Sequence, residues 1–168
     1  MTYKKILVAL DRSLQSKTVF EQALEIAKQE GASLMLFHCL PLESRGISPS
    51  YTNLYGQELV NFSRAIQEQL EKETEKIRQW LDDYCQKSTE QGVPTEWDCK
   101  VGEAGRWIRE IAHTWNADLI VLGRRGHRGL TEIFLGSVSN YVIHHVPCSV
   151  LVVQGIQPSE KEESKSKS

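Results

Sequence analysis

Short, dense apolar runs alternate along the chain with longer stretches in which apolar positions recur every three or four residues. Five runs are of the first kind: residues 3–9 (YKKILVA), 33–39 (SLMLFHC), 95–101 (TEWDCKV), 118–123 (DLIVLG) and 148–153 (CSVLVV). All but the third are nearly continuous in apolar residues, as strands covered on both faces must be; the third alternates and is expected at a sheet edge. Between them, Val19, Ala23, Ile26 and Ala27 stand at helical spacing ahead of Gly31, a C-terminal cap. From Glu58 to about Thr89, Leu59, Phe62, Ile66, Leu70, Ile77, Leu81 and Tyr84 form one stripe of a long amphipathic helix. Ala104, Trp107, Ile108, Ile111, Ala112 and Trp115 mark a third helix. A fourth is expected to begin near Ser137, with Val138, Tyr141, Val142 and His145 facing inward.

Strand and helix thus alternate from end to end, which implies a parallel sheet with helices on both faces, a doubly wound α/β domain. If the first and fourth strands are neighbours, as in the order 3-2-1-4-5, their carboxyl ends open into one crevice, where ligands bind in such sheets. Residues 41–56 have no period and contain Pro, Gly, Ser and Asn, so they read as a long loop, either a lid or contact surface or a plain surface excursion. Residues 157–168 contain no apolar residue to bury, and 156–168 are expected to form a disordered charged tail behind a domain at 1–155.

Composition narrows the partners. A formal net charge of −2 lacks the basic excess of a general nucleic-acid binder. No apolar stretch approaches the roughly 18 residues of a membrane span, and the first apolar run is too short for a signal peptide, so a cytoplasmic protein without a membrane partner is expected. Cys39, Cys85, Cys99 and Cys148 form no C-x-x-C pair and read as reduced, mostly buried thiols. His144 and His145 are adjacent, so on a helix they diverge by about 100° and suit structure better than a shared metal.

The chemistry gathers in GRRGHRGLTEIFLGSVS, residues 123–139. Gly123, Gly126 and Gly129 can admit a phosphate where a Cβ would block it and turn N–H groups toward it. Gly136-Ser137 opens the next helix, whose free amides and partial positive charge favour anions by about 0.3–1 kcal/mol, and the Ser137 and Ser139 hydroxyls can add hydrogen bonds. The plainer alternative has the glycines turning the chain and Ser137 capping the helix. Asp11, after the first strand, is either a ligand or a cap for the following helix. The chain contains no G-x-x-x-x-G-K-[ST], no G-x-G-x-x-G after the first strand and no G-x-S-x-G, which argues against a P-loop NTPase, a dinucleotide-binding Rossmann enzyme and an α/β-hydrolase nucleophile elbow.

ILVALD near the start, DLIVLGRRG, the nine-residue gap before GSVS and the closing VPCSVLVV together resemble the universal stress protein family. Gly123, Gly126, Gly136 and Ser137 match the G-x2-G-x9-G-[ST] pattern of its ATP-binding subgroup position for position. The resemblance implies a five-stranded sheet of order 3-2-1-4-5, an adenine nucleotide alpha hydrolase-like fold, holding ATP, or ADP or AMP, across the crevice. It implies Asp11 at the ribose or adenosine, the Cys39 backbone at the adenine edge, and Ala9 and Leu122 as apolar walls. Gly123, Gly126, Gly136, Ser137, Val138 and Ser139 would hold the phosphates, with Mg2+ or Mn2+ bridging their oxygens. It carries no role onto Arg124, Arg125 or residues 41–56. Family members commonly form a homodimer through the last strand, here Cys148 to Val153, and that run lacks the charges that usually blunt an exposed edge. The resemblance implies a nucleotide-dependent regulatory module of the stress response; the alternatives are a slow ATP hydrolase or a phosphoryl- or nucleotidyl-transfer enzyme, and a nucleotide-independent interaction protein.

Overall fold

Side chains alternate across a pleated strand, and in this chain both faces of the strands find apolar partners. The computed structural model describes residues 2–41, 55–124 and 135–154. Its strands are β1 (Lys5–Ala9), β2 (Ser33–Leu40), β3 (Thr95–Val101), β4 (Leu119–Gly123) and β5 (Ser149–Val153); its helices are α1 (Ser16–Glu30), α2 (Gln57–Glu90), α3 (Ala104–Trp115) and α4 (Ser137–His145). The strands form one sheet in the expected order β3-β2-β1-β4-β5, and every pairing is parallel.

Ile6, Val8, Leu34, Leu36 and Val121 face one way and pack with Val19, Phe20 and Ala23 of α1 and Ile77 and Leu81 of α2. Leu7, Phe37, Ile120 and Leu122 face the other way, against Ile108 and Ile111 of α3 and Val142 of α4. Continuous apolar composition is the direct result: a strand between two helical layers has no solvent face. Gly31 closes α1 in the left-handed conformation, φ 68°, with its N–H donating to the Ala27 carbonyl.

Several expectations shift at the edges. β1 begins at Lys5, two residues later than expected, and β4 at Leu119, one later; at this end Lys4 N–H and Lys5 N–H donate to the Asp118 carboxylate at 2.8 and 3.1 Å, while Asp118 N–H donates to the Lys5 carbonyl at 2.9 Å. In α2 the expected stripe is buried at Ile77 and Leu81 but half-buried at Phe62, Ile66 and Leu70, and Leu59 is 47% exposed. A helix of 34 residues spans about 51 Å at 1.5 Å per residue, roughly twice the length of the strands it crosses, so its first half runs past the sheet. His145, expected to face inward, is exposed: α4 ends there, and the ring stacks on Tyr141 at 4.0 Å. The four cysteines are free thiols, each half-buried rather than buried; burial is the largest influence raising the pKa of each. Most of the 41–56 connection, Gly126, Gly129, Arg125, Arg128 and the charged tail lie outside the described residues.

Candidate functional site

The sheet changes direction between β1 and β4: β2 and β3 follow on one side, β5 on the other. Beyond the carboxyl ends of these strands a cleft opens between α1 on one face and α3 and α4 on the other, the place where open parallel sheets bind their ligands. Ala9, Asp11, Cys39, Leu122, Gly123, Gly136, Ser137, Val138 and Ser139, drawn from four separate stretches of sequence, all line it. Of the expected site residues, Gly126 alone lies outside the described residues.

The turn after β1 is fixed by its own side chains. Asp11 Oδ1 accepts hydrogen bonds from Ser13 N–H at 3.0 Å and from the Ser13 hydroxyl. The Ser16 hydroxyl is shared between Asp11 Oδ1, at 3.2 Å, and the Asp11 carbonyl. This is an Asx-type turn, and it holds Asp11 at the lip of the cleft. The helix-capping alternative for Asp11 is not what the backbone adopts: the N-cap of α1 is Gln15, without a side-chain cap.

Across the cleft, α4 starts from Gly136 at φ 82° and ψ 151°, again with no side-chain cap. Ser137 is therefore the first helical residue and not the cap. The first amides of a helix have no partner within it, so α4 directs donors and the positive end of its dipole at the opening. The Ser139 hydroxyl, buried, donates to the Gly123 carbonyl at 3.4 Å and spans the two turns of the motif. Gly123 also answers a packing need: a Cβ there would lie 3.0 Å from Val19 Cγ2 of α1. At Gly136 the same test finds open space.

On the β2 side, Cys39 Sγ donates to the Gly102 carbonyl at 3.4 Å. Desolvation, and then the neighbouring Cys99, push its thiol from the ordinary 9.0 to about 11, so it stays neutral at physiological pH. Asp11 is the one carboxylate lining the cleft among the described residues, and no cluster of three or more metal-ligating side chains occurs among them. The arrangement suits an elongated ligand with a flat apolar end between Ala9, Phe37 and Leu122 and an anionic end at α4.

A profile of the Universal stress protein family matches residues 2–154. The chain belongs to the universal stress protein family. Among its relatives, the universal stress protein Sll1388 of Synechocystis sp. is 54% identical over 154 residues, covering 92% of this chain and 99% of Sll1388. Among solved structures, the universal stress protein UspA from Lactobacillus plantarum aligns with a TM-score of 0.71 at 23% identity, covering 91% of this chain and 99% of UspA. A universal stress protein from Archaeoglobus fulgidus in complex with dAMP aligns at 0.56 and 23% identity, covering 90% and 98%. At that identity the structures bear on the fold, and the fold agrees with theirs.

Sequence reasoning about this universal stress protein missed Leu10, Gln15, Ser16, Val19, Phe37, His38, Ala104 and Ile108, which also line the cleft. Gln15 and Ser16 follow Asp11 in the same turn, and His38 precedes Cys39, so proximity to the expected residues was the available signal. Ala104 and Ile108 carried none, because a periodic helix does not announce which strand end it will overhang.

Proposed function

We propose that this universal stress protein binds an adenine nucleotide, ATP foremost, in the β1/β4 cleft, and acts as a cytoplasmic, homodimeric, nucleotide-dependent regulatory module. One observation carries the reading: Asp11, Cys39 and the residues of the Gly123 and Gly136-Ser137 turns, far apart in sequence, line a single cleft. The dAMP held by the Archaeoglobus fulgidus relative supports the same ligand class.

In this reading the adenine lies between Ala9 and Leu122 with its edge at the Cys39 backbone, and Asp11 meets the ribose. Phosphates sit at Gly123, Gly126 and the amides and hydroxyls of Ser137, Val138 and Ser139, where the helix dipole favours negative charge. Mg2+ or Mn2+, bound with the phosphates, would neutralise their charge. Self-association through β5 fits the sheet. Because Arg124 N–H donates to the Val153 carbonyl, Val153 and Leu151 direct their main-chain groups at β4, and those of Val150 and Val152 point off the edge, free to pair with a second copy.

The test is to denature the purified protein and identify released nucleotide, then to measure ATP turnover. Stoichiometric ATP, ADP or AMP with turnover far below the ~1 per second typical of enzymes is the expected outcome. Turnover at or above that rate would make the protein an enzyme, and absence of both bound nucleotide and measurable affinity would leave a nucleotide-independent interaction protein.

A further inference from the structure

β1 and β2 stop pairing at the lip of the cleft, and the manner of their parting singles out one side chain. The last rung is Leu10 N–H to the Phe37 carbonyl at 2.8 Å, while Gly102 N–H donates to the Leu40 carbonyl at 2.9 Å. Alternate residues of a parallel strand face opposite neighbours, so Phe37 and Cys39 face β1 and Leu40 faces β3. The next rung would run from Cys39 N–H to the Leu10 carbonyl. It does not form; the register ends at Ala9 and Phe37. Instead His38 Nδ1 lies 2.7 Å from that carbonyl. A carbonyl can only accept, so Nδ1 carries the hydrogen and donates it. The residue is 6% exposed, and its ring is held edge-on to Trp80 of α2, centroids 5.5 Å apart at 87°.

We propose that His38 is a positioning residue for base recognition: by capping the Leu10 carbonyl it keeps the Cys39 main-chain N–H and C=O open toward the cleft. Among the described residues no main-chain group meets either one, although both sit on the β1 side of a sheet strand, where a buried amide is nearly always paired. An adjacent donor and acceptor of this kind matches the N1 acceptor and N6 amino donor of adenine. The same edge meets the N1–H and O6 of a 6-oxopurine in the reversed order, so it discriminates between the two. This inference rests on the adenine-nucleotide reading for its ligand, but the hydrogen-bond switch at Leu10 exists without any ligand.

The experiment therefore has two arms on the full chain. In the first, amide hydrogen exchange is followed at Cys39 without nucleotide in wild type, His38→Leu and His38→Asn; the Asn amide can place a donor near the Nδ1 position. Cys39 exchanges rapidly in wild type and His38→Asn and at least roughly tenfold more slowly in His38→Leu, where its N–H closes onto the freed Leu10 carbonyl. Should His38→Leu not fold, His38→Gln, whose donor is displaced from the Nδ1 position, takes its place. In the second, dissociation constants for ATP, ITP and inorganic tripolyphosphate are compared. His38→Leu weakens ATP by about tenfold, the loss of roughly one hydrogen bond, narrows the ATP-to-ITP preference and leaves tripolyphosphate unchanged; His38→Asn behaves as wild type. Unchanged Cys39 exchange in His38→Leu, or an unchanged ATP-to-ITP ratio in a variant of a protein that binds ATP, overturns the proposal. Failure of wild type to bind ATP overturns the ligand reading instead, and the exchange arm still decides the role of His38.

Discussion

At Gly136 the backbone lies at φ 82° and ψ 151°, a region that costs a residue with a side chain on the order of 1–3 kcal/mol. At Gly123 no such φ is required, and the obstacle to a side chain is Val19 of α1, 3.0 Å from where a Cβ would stand. The two glycines of one motif are thus held by different constraints, backbone conformation at the first turn of α4 and close packing at the end of β4. Gly136→Ala should lower the stability measured by urea by about 1–3 kcal/mol and weaken ATP at least roughly tenfold, because relieving the strain rotates the α4 amides off the cleft. Unaltered ATP affinity in a folded Gly136→Ala protein would detach α4 from the phosphate site. Neither distinction could be read from the spacing of the glycines, which gives their positions and not their dihedrals.

Helices α3 and α4 wall one side of the cleft, and their approach depends on Gly105. A Cβ there would lie 2.7 Å from Tyr141 Cδ1, closer than real Cβ contacts come, and 3.1 Å from Cγ. Gly105→Ala should therefore destabilise by about 1–3 kcal/mol through overpacking, even though alanine gains up to ~1 kcal/mol in helix propensity; a raised urea midpoint would show that Tyr141 yields freely. Glycine inside a helical pattern reads from sequence only as a weak point, so this contact was not legible. Much else at this scale was. The near-continuous apolar composition of four strands announced two covered faces, and the alternation in TEWDCKV announced the β3 edge. What periodicity could not supply was length of cover: the stripe of α2 keeps one phase from Leu59 to Tyr84, yet it is fully buried only where the sheet lies beneath it. The start of β1 was not legible either; there the Lys4 and Lys5 amides donate to Asp118, a carboxylate distant in sequence.

For the molecule as a whole, the strand order brings residues from five stretches of sequence to one cleft and leaves β5 at an edge. Charged substitution in β5 is a blunt probe of dimerisation, because Val150 and Val152 pack against the α3/α4 core. Val152→Pro is cleaner. Its N–H points off the edge, so proline removes a donor to a second copy without removing one to β4. Sedimentation should report a dimer for wild type and a monomer for this variant, and a dimeric variant would move the interface away from β5. The cleft was legible in the sequence because its motif residues stand at strand ends and at a helix start, the positions that parallel topology gathers together; Gln15, Ser16 and His38 were not, because their part depends on which carbonyls and carboxylates the turn leaves to be satisfied. The central claim, that this cleft receives an adenine nucleotide, is tested most directly by titrating ATP with Mg2+ into the 15N-labelled chain and following backbone amide shifts. The account predicts saturable shifts centred on Cys39, Gly123, Ser137, Val138 and Ser139; no saturable shift, or a cluster elsewhere such as the first half of α2, would contradict it.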